Sequence, residues 1–234
     1  MTSQVLEISP VGLALAFLPV LAVVLVLMRW SLGPGRVGYA LARMLLQLLA
    51  IGYVLNFLFA AEQSWIIGAV LAIMLLAASW IALRPVNALS PGSYARALFA
   101  IAIGSLPVLL LVTQFVIGVE PWFSPQYVIP LGGMIFAGSM NAVSLAAERQ
   151  QAELAAGRDQ VAACEAGLNA ALIPLINSLL AVGLVSLPGM MTGQVLSGID
   201  PLVAARYQIV VMCMLFGASG LSAACYVWLA SRRG

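Results

Sequence analysis

A run of chemically unusual residues, from Leu187 to Gln194, interrupts a sequence that is otherwise apolar enough for the interior of a lipid bilayer. It combines a proline and two glycines, which disturb helices, with the adjacent thioethers of Met190 and Met191 and the amide of Gln194. Irregular backbone survives at membrane depth only where protein or a water-filled cavity covers it. The run is therefore a candidate lining of a substrate path. Methionine sulfur would suit a soft transition metal, although methionine more often fills gaps in a core.

Other polar side chains interrupt the apolar stretches at helical spacing. Arg43 and Gln47 are four residues apart and share a helix face, while Asn141 begins a polar stripe that continues at Ser144 and Glu148. Polar side chains in membrane helices usually face the bundle interior, which predicts a pathway; a tight helix interface and an arginine that extends to water are the alternatives. The predicted pathway residues are Arg43, Gln47, Asn141, Asn177, Met190, Met191 and Gln194.

The elements that must position these residues are membrane helices. Hydrophobic residues make up 63% of the 234-residue chain and charged residues only 8%, whereas soluble domains contain about 25% charged residues. We therefore predict an all-α integral membrane protein, a bundle of seven transmembrane helices in one domain over residues 1–234. The apolar runs long enough to span a bilayer are Ser9–Met28, Val37–Ala61, Trp65–Leu83, Ala97–Val119, Tyr127–Ala147, Asn169–Leu187 and Gln208–Ala230.

The distribution of arginine predicts the orientation of these spans. Basic residues are retained on the cytoplasmic side of a membrane, and acidic residues contribute little to this bias. With the N-terminus outside and the C-terminus cytoplasmic, every arginine except Arg206 lies on the cytoplasmic side. The sequence therefore predicts an N-out, C-in topology.

The absence of two residue types excludes several classes of function. The chain contains no lysine and no histidine, so it can form neither a retinal Schiff base nor a phosphate-binding P-loop of its own. Metal and haem sites that depend on histidine are excluded as well. Because every carboxylate lies in a predicted loop or at the end of a span, no catalytic constellation is recognisable. We expect no enzyme activity, no resident cofactor and no nucleic-acid partner.

One long charged connector, residues 148–168, lies on the predicted cytoplasmic side. It contains six charged residues among many alanines, a composition that favours a surface helix. Such a helix could dock a partner protein, and a solvated connector is the equally open alternative.

Four colinear stretches carry a resemblance to a known family: Ala42–Phe59, Pro130–Arg149, Ala171–Pro201, which includes LVSLPGMMTGQ, and Arg206–Met212. Through these stretches the chain resembles the FetB-like permease family of iron-export components of ATP-binding-cassette (ABC) transporters. The resemblance implies a membrane subunit that works with a separate P-loop ATPase, assembled as a homodimer in the lipid bilayer. It also implies that the connector couples to the ATPase, through Glu148, Arg149, Glu153, Gly157 and Arg158.

These observations together predict the permease subunit of an ABC exporter in the bacterial inner membrane, with iron or another metal as its cargo. Two alternatives stay open at the level of sequence. The first is an exporter of an organic or nucleotide-sugar solute, which the amide-rich polar set would also suit. The second is a seven-span sensor or scaffold that transports nothing.

Overall fold

The structure is a computed structural model that describes residues 8–59, 63–86 and 90–232. Seven helical segments in these ranges are long and apolar enough to cross a membrane, which confirms the prediction of a seven-span α-helical protein. The orientation of the termini stays a prediction. The chain divides into two compact units, residues 1–60 and 61–234.

The described residues of unit 1 form three helices, α1 (Pro10–Leu15), α2 (Leu18–Arg29) and α3 (Pro34–Phe59). The first predicted span, Ser9–Met28, thus corresponds to two helices, α1 and α2. Pro19, which lacks an amide donor, lies in the first turn of α2 and accounts for the interruption. Arg43 and Gln47 both lie on α3, where Arg43 is partly buried and Gln47 is exposed.

Unit 2 contains the other five spans and one short helix. Its elements are α4 (Ser64–Ala82), α5 (Pro91–Leu110) with a π-helical continuation (Leu111–Ile117), α6 (Pro125–Ala155), α7 (Gln160–Ala181), α8 (Gly189–Leu196) and α9 (Pro201–Ser231). Three of these helices begin with a proline, which needs no donor in a first turn. Helix α9 packs against α5, α6, α7 and α8 and forms the centre of the unit.

The centre of unit 2 is built from small residues that let helices approach closely. The hydroxyls of Ser105 on α5 and Ser139 on α6 lie 2.9 Å apart within hydrogen-bond distance. Gly138 on α6 faces Ser219 on α9 so closely that a Cβ atom at Gly138 would lie 2.8 Å from the Ser219 hydroxyl oxygen. A tight serine and glycine contact thus positions α5, α6 and α9 against one another.

The charged connector differs from the separate surface helix that its composition favours. Helix α6 runs on to Ala155 and α7 already begins at Gln160, so most of residues 148–168 form the ends of two long helices. Alanine and charged residues simply continue α6, and the side chain of Asp159 begins α7 by accepting a hydrogen bond from the amide of Ala162 at 2.9 Å.

Candidate functional site

The candidate site begins where α7 ends, at Ala181, six residues before the end of the predicted sixth span. Gly183 adopts a left-handed φ of +82°, a conformation that terminates helices and that hydropathy cannot reveal. The carbonyl of Ala181 accepts hydrogen bonds from the amides of Val185 (2.8 Å) and Ser186 (3.1 Å). Part of the backbone freed by the break is therefore satisfied within the turn itself.

Helix α8 follows this turn after Pro188, which precedes its first residue. The carbonyl of Pro188 accepts from the amide of Thr192 at 2.9 Å and from its hydroxyl at 3.1 Å. At eight residues, α8 is roughly 12 Å long, well short of the roughly 30 Å hydrocarbon core of a bilayer. The irregular backbone thus covers residues 182–188 and ends at Pro188, whereas Gly189 and Gly193 lie within the regular helix α8. The role of this break in a pathway stays a prediction.

A cavity of about 250 Å³, which we call the α8 cavity, lies between α8, α6 and α9. Met190 and Gln194 on α8 both line it. The side-chain oxygen of Gln194 is buried and has no hydrogen-bond partner in the described structure. A buried acceptor without a donor costs free energy, so this oxygen is suited to a ligand that donates or carries positive charge. The other lining residues are Ile117, Gln126, Tyr127, Pro130, Leu131, Met134, Tyr207 and Val211.

Met191 lines a different cavity, of about 430 Å³, together with Gln208, Met212 and Cys213 of α9. Successive residues of a helix point about 100° apart, which explains why the adjacent methionines are separated. The side-chain oxygen of Gln208 is also buried without a partner. Each of the two cavities is therefore lined by two methionines and by a glutamine whose side-chain oxygen is buried without a partner.

The other predicted pathway residues are dispersed. Asn177 lines a third cavity of about 400 Å³ with Ser178, Ser186 and Met212, so it neighbours the Met191 cavity through Met212. Asn141 is exposed on α6 and does not line these three cavities. Arg43 and Gln47 belong to unit 1. Of the predicted pathway set, the structure brings only Met190 and Gln194 together in the α8 cavity.

Sequence analysis did not single out three residues of the α8 cavity, namely Gln126, Pro130 and Met134 of α6. They recur every four residues and so occupy one face of the helix. This spacing is a usable signal, but it becomes meaningful only once α8 is known to cover that face.

The turn between α6 and α7 brings three predicted coupling residues together. Glu153 is 8% exposed and forms ion pairs with Arg149 and with Arg158, whose Nε lies 3.1 Å from a Glu153 carboxylate oxygen. Gly157 has a φ of +81°, and the amide of Arg158 donates to the carbonyl of Glu153 at 3.1 Å. Glu153 and Gly157 therefore hold the turn in shape, while about half or more of the Arg149 and Arg158 side chains is exposed, 52% and 64%. Glu148 is exposed one turn earlier.

The described residues contain no group of three or more histidine, cysteine, aspartate or glutamate side chains that could hold a metal ion. The three cysteines are free; Cys164 accepts a hydrogen bond from the side-chain amide of Gln150 at 3.2 Å. A metal that passed through the α8 cavity would therefore meet thioether, amide and phenol groups rather than carboxylates.

Seven apolar spans and a broken helix beside a lined cavity define a multi-pass membrane protein. The family model described as "Uncharacterised protein family (UPF0014)" matches residues 10–234, and the chain belongs to this family.

Named relatives support the resemblance found in the sequence. The chain is 33% identical to the "Probable iron export permease protein FetB" of Escherichia coli (strain K12), over 94% of this chain and 91% of the relative. It is 38% identical to the UPF0014 membrane protein slr1647 of Synechocystis sp., over 80% of this chain and 78% of the relative. It is 35% identical to the Protein ALUMINUM SENSITIVE 3 of Arabidopsis thaliana, over 80% of this chain and 73% of the relative. No solved structure matches the chain.

Proposed function

We propose that this chain, with both of its units, is the permease subunit of an ABC-type exporter in the bacterial inner membrane. The proposal rests above all on the α8 cavity, where a broken helix places an unpartnered buried amide oxygen of Gln194 beside Met190. Membership of UPF0014 and the similarity to a relative named as an iron export permease support it. Because the chain lacks lysine, it has no P-loop, and a separate ATPase subunit supplies the energy.

The cargo that we propose is a metal cation, iron or another transition metal. The lining of the α8 cavity is uncharged, and its thioether, amide and phenol groups would bind a metal only weakly. Weak binding suits a conduction pathway, because a cargo held tightly does not leave. The same uncharged lining favours a second candidate, a polar organic solute that bonds to the amide and phenol groups.

Coupling to the ATPase occurs, in this proposal, at the turn between α6 and α7. The two arginines that flank the buried Glu153 keep much of their side chains exposed and can meet acidic groups of a partner. Two ATPase subunits serve one pathway in such transporters, so the assembled protein contains two copies of this chain.

Replacing Arg149 and Arg158 together with alanine is expected to weaken association with a P-loop ATPase subunit that is coexpressed with the chain. Loss of about 1 kcal/mol of charge complementarity corresponds to about fivefold less ATPase in a copurification from detergent. Arg206→Ala is the matched control, because Arg206 is an exposed arginine near the start of α9. This variant should leave the recovery of the ATPase unchanged. Equal recovery for the double variant and the control would move the contact elsewhere or favour a scaffold that binds no ATPase.

The predicted topology can be tested with single cysteines in a background where the three native cysteines are serine. Glu62, which is predicted to be outside, is not among the described residues, but its neighbour Gln63 is exposed, as is Ala156 in the α6–α7 turn. A membrane-impermeant thiol reagent added to whole cells should label Gln63→Cys and leave Ala156→Cys unlabelled until the cells are opened. The reverse pattern would show that the orientation is wrong.

A further inference from the structure

A fourth cavity, of about 190 Å³, lies at the opposite end of unit 2 from α8, and we call it the Arg96 cavity. The ends of α4 to α7 and of α9 enclose it, and its location near the α6–α7 turn separates it from the proposed pathway. Its polar lining consists of Ser93, Arg96, Gln150, Gln151, Gln160 and Tyr226.

The lining of the Arg96 cavity contains one positive charge and no carboxylate. The Nε of Arg96 is buried and has no hydrogen-bond partner among the described residues. Other arginines near this end are engaged: Arg84 stacks on Trp80, with its guanidinium carbon 5.1 Å from the ring centroid, and Arg158 pairs with Glu153. A partly buried guanidinium without a counter-charge is costly, and an anion in the cavity would remove that cost.

Neutral side chains that can donate hydrogen bonds line the same cavity as Arg96. Tyr226 is 6% exposed, and its phenol and the amides of Gln151 and Gln160 belong to residues that line the cavity. The side-chain amide of Gln150 is held in place by Cys164 and by the carbonyl of Val227, at 3.2 Å and 3.4 Å. These two bonds occupy the N–H groups of Gln150, so Tyr226, Gln151 and Gln160 supply the donors in the cavity that Arg96 lines, a combination that suits the oxygens of a phosphate group.

The depth and the apolar part of the lining indicate where such a phosphate would come from. Arg96 lies five residues after the start of α5 and Tyr226 five residues before the end of α9, each about 7.5 Å from its helix end. Leu83, Val86 and Leu154 form an apolar wall of the same cavity. Basic pockets between membrane helices near the membrane surface bind anionic lipid headgroups.

We propose that the Arg96 cavity binds the phosphate group of an anionic phospholipid, with the guanidinium of Arg96 as the counter-charge and the apolar wall against the glycerol and acyl carbons. A free phosphate ion would share the same chemistry, but it would leave the apolar wall unused. The site is separate from the α8 cavity and does not depend on the identity of the cargo.

The test titrates delipidated protein in dodecyl maltoside with phosphatidylglycerol, phosphatidylcholine or inorganic phosphate and counts bound molecules by native mass spectrometry. The wild type should bind one phosphatidylglycerol per chain more tightly than either of the other ligands. Arg96→Gln should weaken this binding about tenfold, the effect of one lost charge-assisted contact, and Arg96→Lys should weaken it less. Arg206→Gln removes the same charge from an exposed position at the other end and should change nothing.

Several outcomes would overturn the proposal. Equal phosphatidylglycerol binding by the wild type and by a folded Arg96→Gln variant would remove Arg96 from any lipid site. Inorganic phosphate bound as tightly as phosphatidylglycerol would identify a small-anion site instead. If Arg96→Gln kept its lipid but recovered less ATPase, the cavity would be a docking site for an acidic group of that subunit. If Arg96→Gln does not elute as a single species, phosphatidylglycerol binding is compared between Arg96→Lys and Arg206→Lys instead. Equal binding by these two variants would likewise remove Arg96 from any lipid site.

Discussion

Gly104→Ala is expected to destabilise unit 2 more than almost any other single-atom addition. Gly104 lies on α5 against Ser222 of α9, and a Cβ atom there would lie 2.2 Å from the Ser222 hydroxyl oxygen and 2.6 Å from its amide nitrogen. Because backbone atoms are involved, the clash cannot be relieved by a side-chain rotation alone. We expect a loss of about 3 kcal/mol, the upper end of the usual range for overpacking.

The measurement is thermal stability in detergent, followed by the loss of the monodisperse peak in size-exclusion chromatography. Gly217→Ala is the matched control, since Gly217 lies within α9 and a Cβ atom there would meet nothing within 4 Å. Alanine is the better helix former by about 1 kcal/mol, so the control should be neutral or slightly stabilised. A Gly104→Ala variant as stable as the control would show that α5 and α9 are not in the close contact described.

The sequence alone is sufficient to predict the seven spans, because hydropathy over about 20 residues reports directly on the length of chain needed to cross a bilayer. It also predicts an interruption next to Pro188, which lacks an amide donor, but it extends the irregular backbone to Gln194, although residues from Gly189 onward form α8. The end of α7 at Ala181 is missed, since Gly183 stops the helix through a left-handed φ while the apolar composition continues to Leu187.

The composition of the candidate site depends on tertiary contacts and could not be predicted in full. Met190 and Met191 are adjacent in sequence but line different cavities, and Met134 joins Met190 only because α6 packs beside α8. In the sequence, Glu153 is one of six charged residues of an exposed connector. In the structure it is buried and forms ion pairs with two arginines. Residues that are distant in the sequence therefore determine which polar side chains are buried.

Gln194→Leu is expected to abolish export while leaving the protein folded. Leucine has a similar volume but removes the buried, unpartnered side-chain oxygen of a residue that lines the α8 cavity. In cells loaded with iron, the metal content of a strain that carries this variant should rise to that of a strain without the gene. The double change Met190→Leu and Met191→Leu should have the same effect, because leucine cannot offer sulfur to a metal.

The single methionine variants then assign the pathway to one cavity. Met190→Leu acts on the α8 cavity alone, and Met191→Leu acts on the cavity that contains Gln208. A stronger export defect in Met190→Leu identifies the α8 cavity as the pathway, and the opposite order identifies the other cavity. Normal export in Gln194→Leu and in the double methionine variant would contradict the site assignment, although the chain could still be a permease.

Stability measurements distinguish a pathway role for Gln194 from a structural one. If the Gln194 amide holds helices together, replacing it should destabilise the protein. A buried acceptor without a donor instead lowers the free energy of unfolding by roughly 1 to 3 kcal/mol, so its removal should stabilise the protein. We therefore expect Gln194→Leu to have an equal or higher melting temperature than the wild type, with unchanged copurification of the ATPase. A lower melting temperature together with lost export would show that Gln194 is structural. Increased stability together with lost export is the result expected if the protein retains an unfavourable group because the cargo needs it.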